Sequence, residues 1–466
     1  MNPSTPSKTS RRDFVKATTA AAAVAAVGST VARAAEPALE VPKGVVTGAS
    51  NLIKVGLVGC GGRGSGAAAQ ACRADDGNVL WAVGDLFQDP IDDPKLGHLE
   101  PLKSELGKQV DVPKERRFSG WDAYKGVIEA CDVILLATPP HFRPLQLEAV
   151  AKAGKHCFCE KPVGVDPVGV RKVMEVSKIF TEKNKSLVSG LCWRYDEAKR
   201  AVVEKIHEGA IGDIRALQHN YLSGGLWTKP RQDAWSDMEW QIRNWLYFYW
   251  LSGDHIVEQH IHSIDKMMWI MKDVPPVKVM ATGGRIQRVA PQYGNVYDHF
   301  NTIFEWENGV RAFTCCRQFV NCAADVSDYA YGVDGVAAVG ADRPFITGKN
   351  PAKFKKSKHN MYDSEHVALF KSIRDNTPIN NGDYMCKSTM CAIMARTSAY
   401  TGKEVRWVDM MGGTVIDPTT NTEIKVPAST QSFSLEKYGW GPRVVDPIAV
   451  PGASATKGNA AAPVEH

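Results

Sequence analysis

The tightest constraint on this chain is the run Gly59-Cys60-Gly61-Gly62-Arg63-Gly64, set between a short apolar stretch (residues 53–59) and an Ala-rich stretch (residues 65–73). The first reads as a buried strand and the second as a helix, so the glycines occupy a strand-to-helix turn. The spacing G-x-G-x-x-G has a mechanical meaning at such a junction. Gly59 permits the tight turn, Gly61 lets a pyrophosphate approach the backbone, and Gly64 lets the helix pack on the strand. Gly62 and Arg63 open the helix, whose N-terminus offers free N–H groups and partial positive charge to phosphate. A second apolar run, residues 79–84, ends at Asp85, 26 residues after Gly59. A carboxylate there suits the adenosine ribose hydroxyls and repels a 2′-phosphate, which favours NAD. Arg63 offers a 2′-phosphate a counter-ion, so NADP stays open as the alternative.

Further short apolar runs follow at 133–138, 156–159 and 186–193, separated by helical patterns. That alternation predicts an α/β fold, with an N-terminal Rossmann domain over residues 50–193 built on a doubly wound parallel sheet. The texture changes after about residue 195. A helix over 196–208, strands near 214–221, 277–286, 299–306 and 310–318, and helices near 364–375 and 383–401 predict a C-terminal α+β domain. It covers residues 194–405 and carries a large, mostly antiparallel open sheet. Glu307-Asn308-Gly309 is a hairpin turn between the last two strands. Residues 406–466 form an extension whose end, from about 452, is Ala/Gly/Pro-rich and predicted to be disordered.

Residues 10–16, Ser-Arg-Arg-Asp-Phe-Val-Lys, resemble the twin-arginine (Tat) export consensus. An Ala-rich, weakly apolar stretch (17–32) and a small-x-small site at Ala32-Arg33-Ala34 follow in the order of a cleavable signal, residues 1–34. The expectation is export through Tat to the periplasm or beyond. No other stretch reaches the ~18 apolar residues a spanning helix needs, so no membrane span is expected after cleavage. Lys and Arg number 56 against 51 Asp and Glu, and they are scattered, so no basic stripe points to nucleic acid. The 11 cysteines match neither a disulfide framework nor a zinc or redox spacing, and read as buried thiols.

The chemistry centres on Glu160-Lys161-Pro162 at the end of the 156–159 strand. A lysine fixed there can point across the ligand crevice and stabilise a developing alkoxide. The order of the glycine loop, Ala-Thr-Pro-Pro-His (137–141), Glu-Lys-Pro (160–162) and Gly-Leu-Cys-Trp-Arg-Tyr (190–195) resembles the Gfo/Idh/MocA oxidoreductases. That family includes inositol dehydrogenases and glucose–fructose oxidoreductase, and the resemblance covers about residues 50–405. It implies a catalytic Lys161, cofactor contacts from Thr138, Pro139, His141, Glu160, Lys161 and Arg194, and an open sheet that often builds a dimer interface, hence a homo-oligomer. The family's D-x-x-x-H-x-x-D signature corresponds to Glu258…His262…Asp265, with Glu258 in place of the usual Asp. His262 matches the general base; an ordinary imidazole pKa of about 6.5 suits proton transfer from a sugar hydroxyl. Read as one helix over 254–271, the segment puts Glu258 and His262 on one face, with Asp265 near it facing substrate. His260 and His262 then point apart, so no metal site is expected.

Residues 221–250 are rich in aromatics, and Arg243-Asn244-Trp245 within them suits a sugar, its apolar face on an indole and its hydroxyls on Arg and Asn. The reading is an NAD(P)-dependent oxidoreductase acting on a sugar, polyol or glycoside hydroxyl, with its cofactor held tightly. The alternatives are a redox-neutral NAD-dependent glycosidase of the family 109 type and a non-catalytic sugar-binding module.

Overall fold

Glycine at 56 and 84 lets the first strands of the N-terminal half pack closely against their helices. A Cβ at Gly56 would meet the Val127 side chain at 2.5 Å. The computed structural model describes residues 51–340, 342–416, 422–433 and 448–452. The signal read at 1–34, and the tail from 453 onward, lie outside the described residues.

Six strands form one sheet: β1 (Ile53–Val58), β2 (Asn78–Asp85), β3 (Arg117–Ser119), β4 (Val133–Leu136), β5 (His156–Cys159) and β6 (Leu187–Ser189). Their order is β3-β2-β1-β4-β5-β6, and every pairing is parallel. This is the doubly wound Rossmann order, with its ligand crevice at the carboxyl ends of the strands, where β1 and β4 diverge. Helices α1 (Gly62–Arg73), α2 (Ala123–Ala130), α3 (Arg143–Lys152) and α4 (Pro167–Glu182) connect and cover it. Because both faces are covered, β4 is buried at every position, which is why it reads as an unbroken apolar run.

The second sheet has nine strands in the order β14-β13-β12-β11-β7-β10-β9-β8-β15. Its centre is β7 (Ile214–Ser223), β8 (Lys278–Gly284), β9 (His299–Glu305) and β10 (Arg311–Gln318), flanked by β11 (Asp325–Gly332), β12 (Gly335–Ala338), β13 (Phe345–Gly348), β14 (Ala352–Lys353) and β15 (Val405–Arg406). All pairs are antiparallel except β7–β10. Strand β10 alternates buried and open positions, so one face packs inward and the other stays open. Helix α5 (Glu197–His207) leads into this domain, and α6 (His255–Glu258), α7 (Ile261–Ile270), α8 (Met361–Arg374) and α9 (Gly382–Thr401) pack around the sheets. Part of the extension is ordered, with a hairpin of Gly413–Ile416 and Glu423–Val426.

Two details depart from the sequence reading. The histidine-rich segment is two helices rather than one, broken at Gln259-His260. The last Rossmann strand stops at Ser189, and Cys192–Tyr195 turns into a 3-10 helix. All 11 cysteines are free thiols, and all are buried or half-buried except Cys322. Among the described residues no helix is long and apolar enough to cross a membrane, and no cluster of His, Cys, Asp and Glu is arranged for a metal ion.

His366 on α8 is fully buried, packs against Phe158 at 4.3 Å with the rings tilted by 36°, and neither ring nitrogen has a hydrogen-bond partner. Burial, followed by the Arg63 and Arg73 charges, holds its pKa well below the ordinary value. The unfolded chain therefore takes up a proton below about pH 6.5 that the native state refuses, so this residue costs stability as pH falls. Replacing it, His366→Phe, is expected to raise the melting temperature relative to wild type, by a margin that widens as pH drops from 7 to 5. Calorimetry showing a margin independent of pH would contradict this.

Candidate active site

The glycine loop has the shape a dinucleotide needs. Gly59 has φ +95°, and a Cβ there would lie 2.7 Å from the Ala137 carbonyl carbon and the Thr138 nitrogen. A Cβ at Gly64 would lie 1.8 Å from the Gly59 oxygen, so the helix-to-strand contact excludes any side chain. Gly61 and Gly62 face open space, with nothing within 4 Å of an added Cβ. Helix α1 begins at Gly62 without a side-chain cap, so its first amides remain free to bind phosphate. Asp85 sits at the end of β2, accepting from the Cys60 N–H at 2.7 Å and the Phe87 N–H at 3.0 Å. Burial raises its pKa, and those backbone donors oppose the rise. The chain's own residues thus fit an NAD pyrophosphate over the loop and a ribose at Asp85.

Arg63 does not share that end of the site. Its guanidinium donates to Glu160 and, at 2.9 Å, to Gln70, with Glu365 of α8 3.8 Å away. Glu160 follows β5, on the opposite side of β1 from Asp85. The alternative in which Arg63 meets a 2′-phosphate is corrected by this geometry, since two carboxylates hold the guanidinium toward β5. Glu365, fully buried beside Glu160, was invisible to sequence reasoning because α8 lies some 200 residues downstream.

Lys161 projects from the end of β5 into the second domain. Its ammonium donates to the Glu258 carboxylate at 2.7 Å and to the Glu258 backbone carbonyl at 2.5 Å. The helix break explains the second bond. The His262 N–H bonds the Gln259 carbonyl at 3.3 Å, which leaves the Glu258 carbonyl free for lysine. His262, at the start of α7, is 8% exposed. Burial lowers its pKa well below the ordinary value, and the Lys161 and Lys266 charges lower it further. The imidazole is therefore a neutral proton acceptor through physiological pH, rather than a group half-titrated near 6.5. Lys161, Glu258 and His262 are brought together, although not by a shared helical face.

The loops behind Lys161 are tied by a residue that sequence reasoning missed. Arg143, buried at the start of α3, donates to the Pro162 carbonyl at 2.5 Å and the Thr138 carbonyl at 2.7 Å. It joins the carboxyl ends of β4 and β5, the edge that a nicotinamide must approach. Thr138 itself donates to Gln146 at 2.6 Å, and Pro139 begins the turn Pro140–Phe142. His141 packs edge-on against Trp250 at 5.1 Å, and burial lowers its pKa to about 4.

Several expected ligand contacts are occupied elsewhere. Arg194, read as a cofactor contact, and Asp265, read as a substrate contact, are each other's partners at 2.9 Å. Arg194 also grips Asp273 at 2.6 Å and lies 3.9 Å over the Tyr384 ring, while Asp265 accepts from Ser388 at 2.8 Å. Both are buried structural groups. Asn244 is fully buried, accepting from Lys229 N–H and donating to the Gln292 carbonyl. Arg243 is clamped on Asp89, and Trp245 packs edge-on to Trp227 at 6.2 Å. The Arg243-Asn244 pair is thus committed to the protein rather than to a sugar.

Family models match both halves: an NAD-binding Rossmann oxidoreductase domain over residues 53–191 and a GFO/IDH/MocA C-terminal domain over residues 200–337. The chain belongs to the Gfo/Idh/MocA oxidoreductase family. It is 24% identical over 213 residues to an inositol 2-dehydrogenase of Rhizobium meliloti, covering 46% of this chain and 58% of that one. It is also 24% identical over 232 residues to a glycosyl hydrolase family 109 protein of Shewanella amazonensis, covering 48% of each. The alignments span between 43% and 60% of the first four curated relatives' own lengths. An aldose–aldose oxidoreductase structure from Caulobacter crescentus superposes with a TM-score of 0.60 at 18% identity, covering 76% of this chain and 99% of the other, and shares the fold.

Because Gly61 faces open space, Gly61→Val is expected to fold with an unchanged melting temperature yet lose at least about tenfold in NAD affinity, its branches filling the space of the pyrophosphate. Titration calorimetry showing wild-type affinity in the folded variant would contradict the assignment of this loop.

Proposed function

We propose that this family member oxidises a hydroxyl of a sugar, polyol or glycoside, with its dinucleotide retained between turnovers. The observation that carries the reading is the convergence of Lys161, Glu258 and His262 at the carboxyl end of β5, beside the glycine loop. Bound NAD supplies a hydride acceptor for the carbon that carries the hydroxyl. Lys161 has an ammonium proton beyond its two bonds to Glu258, and that proton can hold the substrate oxygen as negative charge develops. Neutral His262 takes the hydroxyl proton. Glu258 orients the lysine through both its carboxylate and its backbone carbonyl. A sugar-binding module would have no need of this arrangement of buried acid, base and cation.

The retained cofactor follows from the export reading. A Tat signal over residues 1–34 implies folding around the dinucleotide before release from the cytoplasm. Free nicotinamide nucleotides are scarce outside, so each hydride must return to a second substrate or to the same one. The match to a family 109 glycosyl hydrolase supports a second reading of the same centre, in which glycoside cleavage is redox-neutral overall.

The partner we infer is a second copy of this chain. The open face of the nine-stranded sheet carries Met280, Ile303 and Phe313 directly opposite one another across β8, β9 and β10, exposed at 51%, 42% and 48%. A contiguous apolar row of this kind is the surface a homo-oligomer buries.

Lys161→Met is expected to lower turnover by about 10²–10⁴-fold while the nucleotide stays bound. His262→Ala should lower it comparably and remove an acidic limb that lies below about pH 6.5 in wild type, because the folded pKa is depressed. Turnover can be followed by mass spectrometry on a glycoside and polyol panel. The nucleotide should also survive extended dialysis. Near wild-type turnover in both variants would defeat the catalytic reading, and rapid nucleotide loss on dialysis would defeat the retained-cofactor reading.

A further inference from the structure

The aromatic segment after β7 does something more specific than fill a core. Arg243 reaches across from the second domain and donates to both carboxylate oxygens of Asp89, each at 2.9 Å. Its third nitrogen donates to Glu239 at 2.8 Å, and its guanidinium lies 3.8 Å over the Phe87 ring. Fork-on-fork carboxylate pairing and stacking on an aromatic face are the strong modes of arginine binding. Phe87 and Asp89 belong to the short stretch after β2, and the Phe87 N–H bonds Asp85, the ribose carboxylate.

Seven residues later the same segment is anchored again. Trp250 packs on His141 at 5.1 Å, in the turn that follows β4. The Trp250 indole N–H is fixed in turn by Gln241 at 2.8 Å. Strands β2 and β4 are the two neighbours of β1 in the sheet. Adjacent strands lie about 4.8 Å apart, so anchors beyond β2 and β4 straddle the glycine loop by about 10 Å. A bound dinucleotide occupies that same carboxyl edge, from Asp85 across the loop toward Lys161.

We propose that residues 243–250 form a seam across the dinucleotide crevice, and that the Arg243–Asp89 clasp sets how long the nucleotide stays. This rests on the cofactor reading above and names the residues that would make retention physical. Arg243 is then a positioning residue that acts on nucleotide exchange, without touching the reacting atoms. Leaving requires the seam to part, and so does entering. The clasp should therefore slow both directions, unlike a direct ligand contact, which slows release alone.

The test is NADH exchange on the full-length protein, following nucleotide fluorescence in stopped flow for binding and in a chase with excess NAD+ for release. Arg243→Ala and Asp89→Ala should each raise the release rate and the association rate at least about tenfold. The double variant should be no faster than either single, because the two side chains act as one unit. Arg374→Ala serves as the control. Arg374 makes a similar bidentate bridge to Asp75 at 2.9 Å, next to the amino ends of β1 and β2, and its loss should leave both rates unchanged. Unchanged release in both clasp variants would overturn the proposal. Faster release with unchanged association would also overturn it, assigning Arg243 to direct ligand contact. A wild-type protein that binds neither NADH nor NAD+ would overturn the cofactor reading itself.

Discussion

The ion pair between Lys161 and Glu258 is the interaction on which the site depends, because it ties the end of the parallel sheet to the helical segment of the second domain at the reacting lysine. Lysine arrives from the carboxyl end of a parallel strand, glutamate from the end of a short helix 97 residues away. The side chains are 14% and 15% exposed, so both charges lose much of their hydration. A pair in that setting gains little net stability over an apolar contact. Its value lies in geometry. The helix break at Gln259-His260 releases a backbone carbonyl toward the lysine, and Arg143 fixes the loops behind it, so the ammonium is held from two directions.

The environment of His262 follows from the same junction. A histidine at the start of α7, near a lysine from the other domain and four residues before a second lysine, is disfavoured in its charged form. Burial and two cations together keep it neutral, which is the form that accepts a proton. The Lys161 ammonium, held by Glu258, and the neutral His262 imidazole thus offer a hydrogen-bond donor and a proton acceptor side by side.

The N-terminal half was legible because its determinants are local. A parallel strand buried on both faces is a continuous apolar run, and the glycine loop must hold its spacing within six residues, so β1, β2, β4, β5 and Asp85 could be read directly. Central strands β8, β9 and β10 were equally plain from their period and the Asn308-Gly309 turn. What escaped was non-local. Strands β12–β14 are four residues or fewer and β11 mixes Asp and Ser with aromatics, so their pairing rather than their pattern gives them their identity. Arg194 and Asp265 each look like ligand groups in isolation, and only the fold reveals that they neutralise one another across 71 residues. Arg243 misleads in the same way, since its partner Asp89 lies 154 residues upstream. The helix break was hidden because Gln259 and His260 are ordinary helix residues, so propensity alone predicts continuity.

The central claim is that Lys161, Glu258 and His262 handle a proton beside the hydride-accepting face of a bound dinucleotide. The most direct measurement is single-turnover label transfer. The NAD-loaded protein would be mixed with sugars, polyols and glycosides deuterated at individual hydroxyl-bearing carbons, quenched, and its released nucleotide analysed by mass spectrometry. The account predicts deuterium at nicotinamide C4 from one labelled position of at least one compound, and no transfer in the Lys161→Met variant with nucleotide still bound. Bound nucleotide that never acquires label from any of these compounds, or equal labelling in the Lys161→Met variant, would contradict it.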